Sequence, residues 1–208
     1  MRRYCAEFIG TFFLILTIGC TGIAVGPGVI APLAIGSVLM VMVYAGGHVS
    51  GAHYNPAVTL GILVRGRCPA ADVVPYMVAQ VAGALAASGF VLFFKTGEAV
   101  SMFAPRMAPA LGAEFLFTFA LTYVVLNVAT AKATAGNSYF GLAIGFTVLA
   151  GAFAVGDVSG GAFNPAVAIG AATMGMFSWS NLWLYLVADF LGGAVAGLAF
   201  NALNPEDR

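Results

Sequence analysis

Gly47-His48-Val49-Ser50-Gly51-Ala52-His53-Tyr54-Asn55-Pro56-Ala57-Val58-Thr59-Leu60-Gly61 is nearly repeated further along the chain. The second copy reads Gly156-Asp157-Val158-Ser159-Gly160-Gly161-Ala162-Phe163-Asn164-Pro165-Ala166-Val167-Ala168-Ile169-Gly170. The two lie 109 residues apart. In each, Pro follows Asn at what reads as a helix start. Proline suits the first helical position, where its missing N–H would be unpaired anyway. Asparagine is a favoured N-cap. The apolar tails that follow, Pro56–Val64 and Pro165–Thr173, are half a membrane crossing long. Each motif therefore predicts a glycine-bearing loop (Gly46, Gly47 and Gly51; Gly156, Gly160 and Gly161) running into a short helix.

Outward from the two motifs, six segments can span a bilayer, which takes roughly 20 residues, the second and fifth being short and glycine-rich. They are Tyr4–Val25, Pro32–Gly46, Val73–Phe94, Pro109–Ala129, Tyr139–Val155 and Asn181–Ala202. Ala6-Glu7-Phe8 in the first answers Ala113-Glu114-Phe115 in the fourth. Ala79-Gln80 with Gly83 answers Ala188-Asp189 with Gly192, and Gln80 to Asp189 is again 109 residues. Repeat one covers about 1–97 and repeat two about 107–205 of a single domain, 1–208. Three spans per repeat make the second insert upside down relative to the first, the inverted-repeat plan of many transporters and channels. Symmetry then brings the two half-helix N-termini together near the bilayer midplane. Two helices of nine residues, at about 1.5 Å per residue, reach about 13 Å each and together cross most of the hydrocarbon core.

Composition agrees with a bilayer as solvent. Of 208 residues, 61% are hydrophobic and 8% charged, against about 25% charged in a soluble domain. Net charge is zero with no basic run, which argues against nucleic acid as a partner. Cys5, Cys20 and Cys68 have neither metal nor redox spacing and read as small apolar filler. Met1-Arg2-Arg3 leads into an apolar run longer than a signal peptide's core, so the first span is expected to be retained. With the N-terminus inside, Arg2, Arg3, Arg65, Arg67, Lys132 and Arg208 are cytoplasmic, and Lys95 and Arg106 are outside. That asymmetry follows the positive-inside rule.

The paired Asn-Pro-Ala motifs in a duplicated six-span chain resemble the aquaporin family from end to end. The resemblance implies a right-handed bundle of six transmembrane helices with two re-entrant half-helices, all-α, in the cell membrane with both termini cytoplasmic. It implies a homotetramer in membrane lipid, with no cofactor and no enzymatic activity. The expected function is passive conduction of water or small neutral solutes. Two positive helix ends aimed at one spot repel protons and cations, while a neutral solute feels no such barrier. Asn55 and Asn164 are expected to cap their helices and to aim side-chain N–H groups into the lumen. In the same family, buried glutamates at the positions of Glu7 and Glu114 accept hydrogen bonds from the loop backbone.

Four positions form the outer constriction in this family, and here they match Ile35, Ala152, Gly161 and Val167. The last is usually Arg. Strict water channels combine a Phe and a His with that Arg, whereas all four residues here are small or aliphatic. Losing the Arg removes bulk, charge and a fork of donors, so the filter is expected to be wide and weakly polar. Glycerol, urea, ammonia, hydrogen peroxide and neutral metalloid hydroxides such as arsenite join water as candidate solutes. The glycerol-facilitator branch usually carries Asp after its Arg, and Ala168 stands there instead.

Other ionisable groups carry two readings each. Glu7 and Glu114 could form a proton relay, but one per repeat, each facing a broken segment, fits loop support better. Asp189 matches Gln80 and reads as a paired helix contact or as a functional acid. His48 and His53 lack partners at metal spacing; His48 at a cytoplasmic mouth could sense pH. Gly22/Gly26, Gly141/Gly145 and Gly193/Gly197 are spaced for close helix packing. A coupled transporter or a non-conducting junction protein of the same fold are the alternatives to a channel, separable by ion dependence or absence of flux.

Overall fold

The computed structural model describes residues 1–23 and 30–207. Eight α-helices follow in order: α1 (Arg2–Gly22), α2 (Ala31–Ser50), α3 (Pro56–Val64), α4 (Ala70–Phe94), α5 (Met107–Val125), α6 (Phe140–Ser159), α7 (Pro165–Thr173) and α8 (Leu182–Leu203). A wider helical turn, Leu126–Thr130, prolongs α5, and single tight turns cover Lys132–Thr134 and Trp179–Asn181. Six helices are long and apolar enough to cross a membrane, and α3 and α7 are the two half-length ones between them. The expected end of the first span at Val25, Gly26 and Arg208 lie outside the described residues.

The half-helices begin and end where their sequence placed them. The spans before them do not. α2 runs to Ser50 rather than Gly46, and α6 to Ser159 rather than Val155. Gly46, Gly47 and Gly156 are therefore helical and not part of the loops. Gly46 is in the helix for a packing reason: a Cβ there would strike the Tyr54 hydroxyl. The turn is made one step later, by Gly51 at φ 87° and Gly160 at φ 91°, a backbone region where glycine carries no steric cost.

Each half-helix is held by the last long helix of the other repeat. α3 packs on α8, and α7 packs on α4. A Cβ on Gly193 would collide with the Ala57 carbonyl, and one on Gly197 would lie 2.8 Å from the Gly61 carbonyl. Asn201 Nδ2 donates to Val64 O at 2.9 Å, and Ser88 Oγ to Gly170 O at 3.2 Å. The long helices pair as α1 with α4, α5 with α8 and α2 with α6. Gly83 and Gly192 sit at equivalent crossings, where a Cβ would come within 2.5 Å of Phe8 O and 2.7 Å of Phe115 O. Gly145 likewise lies against the Gly36 carbonyl. Small residues bring backbones close because bilayer helices associate by packing rather than by hydrophobic exclusion. The interior is consequently rich in Ala and Gly, while Phe93, Leu116, Leu198 and other large apolar side chains face outward.

Candidate pore

The two loops reach the centre by the same construction. Glu7, fully buried on α1, accepts from Ser50 Oγ at 2.6 Å, His53 N at 2.9 Å, Tyr54 N at 2.7 Å and Gln80 Nε2 at 2.8 Å. Glu114, fully buried on α5, accepts from Ala162 N at 3.0 Å and Phe163 N at 2.6 Å. Non-helical backbone at membrane depth needs such partners, since lipid offers none. Ser50 Oγ and Ser159 Oγ accept from the Ala52 and Gly161 amides. Tyr54 and Phe163, both at φ 49°, turn each loop into its motif.

Asn55 and Asn164 cap α3 and α7. Asn55 Oδ1 accepts from Ala57 N at 2.8 Å, and Asn164 Oδ1 from Ala166 N at 2.9 Å. Their amide groups are also bound across the centre. Asn55 Nδ2 donates to Phe163 O at 2.8 Å, and Asn164 Nδ2 to Tyr54 O at 2.9 Å. Each asparagine thus commits one N–H to the opposite loop, because the half-helices meet end to end and leave that carbonyl as the nearest acceptor. Both asparagines also line one cavity.

That cavity has a volume of about 210 Å3. Ile35, Ala152, Gly161 and Val167 all line it. Gly161 lies against Ala152, with space for a Cβ 3.7 Å from the Ala152 Cα. The remaining wall mixes aliphatic side chains such as Leu39 and Val148 with the two loops. A second, wider cavity opens beyond the motifs, lined by His48, Arg67 and Lys132. His53 and Val125 line both, and so stand between the two spaces. His53 is held in place, its Nδ1 3.1 Å from Thr59 Oγ1 and its ring 4.8 Å from that of Tyr76.

Several lining and supporting residues escaped the sequence reading. Tyr76 and Tyr185 donate to Ser50 O and Ser159 O, each at 2.7 Å, and so brace the ends of α2 and α6. Extending the Ala79-Gln80 and Ala188-Asp189 match three residues upstream would have found them, as Tyr76 and Tyr185 are also 109 apart. Met176 and Phe177 line the same cavity as Asn55, Asn164 and Val167. Phe103 N donates to Met176 O at 2.8 Å, pinning this corner; no motif signalled it. The cysteines divide: Cys68 is buried, Cys20 partly buried and Cys5 exposed, so the filler reading fits Cys68 and not Cys5. Among the described residues no His, Cys, Asp and Glu group could hold a metal ion.

The rim of the wider cavity is strapped by the C-terminal tail. Asp207 Oδ1 accepts from Arg65 Nη2 at 2.9 Å and Oδ2 from Lys132 N at 2.8 Å. Arg65 is almost fully buried, its guanidinium 4.3 Å from the centre of the Phe200 ring. The Lys132 amide, and after it Arg65, hold the Asp207 carboxyl below the usual carboxylate range. A depressed native pKa contributes stability above the unfolded pKa, lost as pH falls through the native value. Asp207→Ala should therefore lower the melting temperature at neutral pH. The gap to the parent should close as pH drops below about 4. Thermal unfolding in detergent across pH checks this; a gap independent of pH contradicts it.

A profile of the family described as Major intrinsic protein matches residues 1–200. The chain belongs to the major intrinsic protein family. Among its relatives is "Aquaporin NIP1-3" of Oryza sativa subsp. japonica, 37% identical over 220 residues, covering 100% of this chain and 75% of that protein. "Glycerol uptake facilitator protein-like 6" of Lactiplantibacillus plantarum is 36% identical over 217 residues and covers 100% of both chains. In fold, this major intrinsic protein matches the X-ray structure of the aquaglyceroporin from Plasmodium falciparum with a TM-score of 0.83, over 99% of this chain and 97% of that one, at 22% identity. With six membrane-length helices among the described residues, this membership makes the protein a passive membrane channel for water and small solutes.

Proposed function

We propose that the pore conducts water and uncharged solutes larger than water, and rejects protons and ions at Asn55 and Asn164. The observation that carries this is the cross-bonded pair: two helix N-termini face each other, each cap tied to the other loop. Each terminus carries roughly half a positive charge. A cation meets a barrier, and a neutral solute meets only donors and acceptors. The first Asn-Pro-Ala, Asn55-Pro56-Ala57, and the second, Asn164-Pro165-Ala166, form this barrier together. Ile35, Ala152, Gly161 and Val167 act as the outer selectivity filter, with Glu7 and Glu114 supporting the loops. Glycerol fits such a filter, and the bacterial relative's name points to the same solute. Urea, ammonia, hydrogen peroxide and neutral metalloid hydroxides such as arsenite share its lack of charge.

The protein works as a single channel domain, a homotetramer in a cell membrane with both termini cytoplasmic. The basic residues Arg3, Arg65, Arg67 and Lys132 support that orientation, since the positive-inside rule puts such groups on the cytoplasmic face.

Asn164→Asp tests the barrier. It keeps the capping oxygen and places a carboxylate near the positive centre, while giving up the bond to Tyr54 O. Vesicles holding the assembled variant should leak protons or sodium faster than the parent. A well-assembled variant as ion-tight and as water-permeable as the parent removes the central assignment.

A further inference from the structure

The two loop supports differ in one respect that charge makes consequential. Around Glu7, the fourth donor is an amide, Gln80 Nε2. The other three positions recur around Glu114 at the same offset of 109: Ser50 and Ser159, His53 and Ala162, Tyr54 and Phe163. Ala162 and Phe163 donate to Glu114 through the backbone, while Ser159 Oγ donates to Val155 O at 3.5 Å. The fourth position is Asp189, fully buried on α8 and the 109-residue counterpart of Gln80, so the repeat symmetry sets its carboxyl toward Glu114 as Gln80 Nε2 is set toward Glu7. An ionised carboxylate cannot donate. Asp189 Oδ1 accepts from Thr118 Oγ1 at 2.9 Å, while Oδ2 finds no donor in the protein among the described residues.

We propose that Asp189 is protonated and donates that proton to the Glu114 carboxylate, holding the second re-entrant loop as the Gln80 amide holds the first. Two ionised carboxylates in contact, deep in an apolar bundle, would repel each other with no water between them. Among the described residues, no cation on the elements that α8 packs against offsets them. α8 packs on α5, α3, α7 and the turns at Leu126–Thr130 and Trp179–Asn181. Those elements carry no Lys, Arg or His, and Glu114 is their only carboxyl. The groups that bear on Asp189 are Glu114, Thr118, Tyr185 and the Asn164 N–H. One proton for the pair leaves a single buried negative charge, matching the single charge of Glu7 beside neutral Gln80. The inserted proton is thus a structural part, delivered during folding and retained, and Asp189 acts on the pore only by positioning Phe163 and Asn164 through Glu114.

The test is infrared spectroscopy of the reconstituted channel at neutral pH, with aspartate or glutamate carboxyls selectively carbon-13 labelled. A protonated carboxylic acid C=O stretch should be present, shift with aspartate labelling and vanish in Asp189→Asn. That variant keeps a donor, so its melting temperature and water permeability should stay near the parent's. Asp189→Ala should lose both. A band that shifts with glutamate labelling places the proton on Glu114 and overturns the assignment. Absence of any such band in the parent overturns it as well, whether or not a variant folds. An Asp189→Asn protein as damaged as Asp189→Ala does the same.

Discussion

Glu7→Ala is expected to leave the channel unable to assemble in detergent or membrane. The substitution strips the acceptor from four groups at once: Ser50 Oγ, His53 N, Tyr54 N and Gln80 Nε2. All four belong to buried residues. A buried donor left without a partner costs about 1–3 kcal/mol. Even at the low end the sum approaches the roughly 5–15 kcal/mol that holds a typical domain folded. A cavity in place of the carboxylate adds to it. Glu7→Gln should be milder, because one oxygen remains to accept while the new NH2 faces donors. Size-exclusion profiles and thermal unfolding of the three proteins measure the order parent, Gln, Ala. A Glu7→Ala protein with parental stability would mean that the first loop stands without its carboxylate.

Val167→Arg should raise the selectivity of the pore for water over larger solutes by an order of magnitude or more. Val167 lines the cavity beside Ile35, Ala152 and Gly161, none of which carries a donor on its side chain. Arginine adds length, charge and up to five N–H donors. Water can replace lost neighbours by bonding to the guanidinium, whereas glycerol or urea fills the opening and meets the wall. A solute as wide as its passage loses far more than a narrow one when the passage shrinks. A tenfold change in relative permeability needs only about 1.4 kcal/mol of difference in barrier, which the loss of one close fit supplies. Size exclusion must first show intact assembly. Swelling and shrinking of vesicles in glycerol, urea and an impermeant osmolyte then gives the ratio. An unchanged ratio in the assembled variant removes Val167 from the constriction.

What could be read from sequence followed from symmetry and local rules. Asn before Pro fixed both half-helix starts, because cap and first-turn chemistry are local. The match of Ala6-Glu7-Phe8 with Ala113-Glu114-Phe115 paired Glu7 with Glu114 in kind, though not the full donor set each collects. The ends of α2 and α6 were placed four residues short, since glycine was read as a breaker. At Gly46 it is a packing residue, and its reason is the Tyr54 ring folding back from a loop eight residues later. The cross-bond from each asparagine to the opposite loop depends on two segments a hundred residues apart meeting, which no local pattern announces. The same holds for Met176 and Phe177 at the cavity that Val167 lines, and for Asp207, whose partners Arg65 and Lys132 come from two other connections.

The most direct test of the central claim is stopped-flow light scattering on proteoliposomes of the unmodified protein, paired with current recording in a planar bilayer. The account predicts osmotic water flux well above that of empty vesicles, rising in proportion to the gradient without saturation or ion dependence, and no ionic current. Flux equal to empty vesicles, flux that needs a co-transported ion, or a measurable ionic conductance would each contradict it.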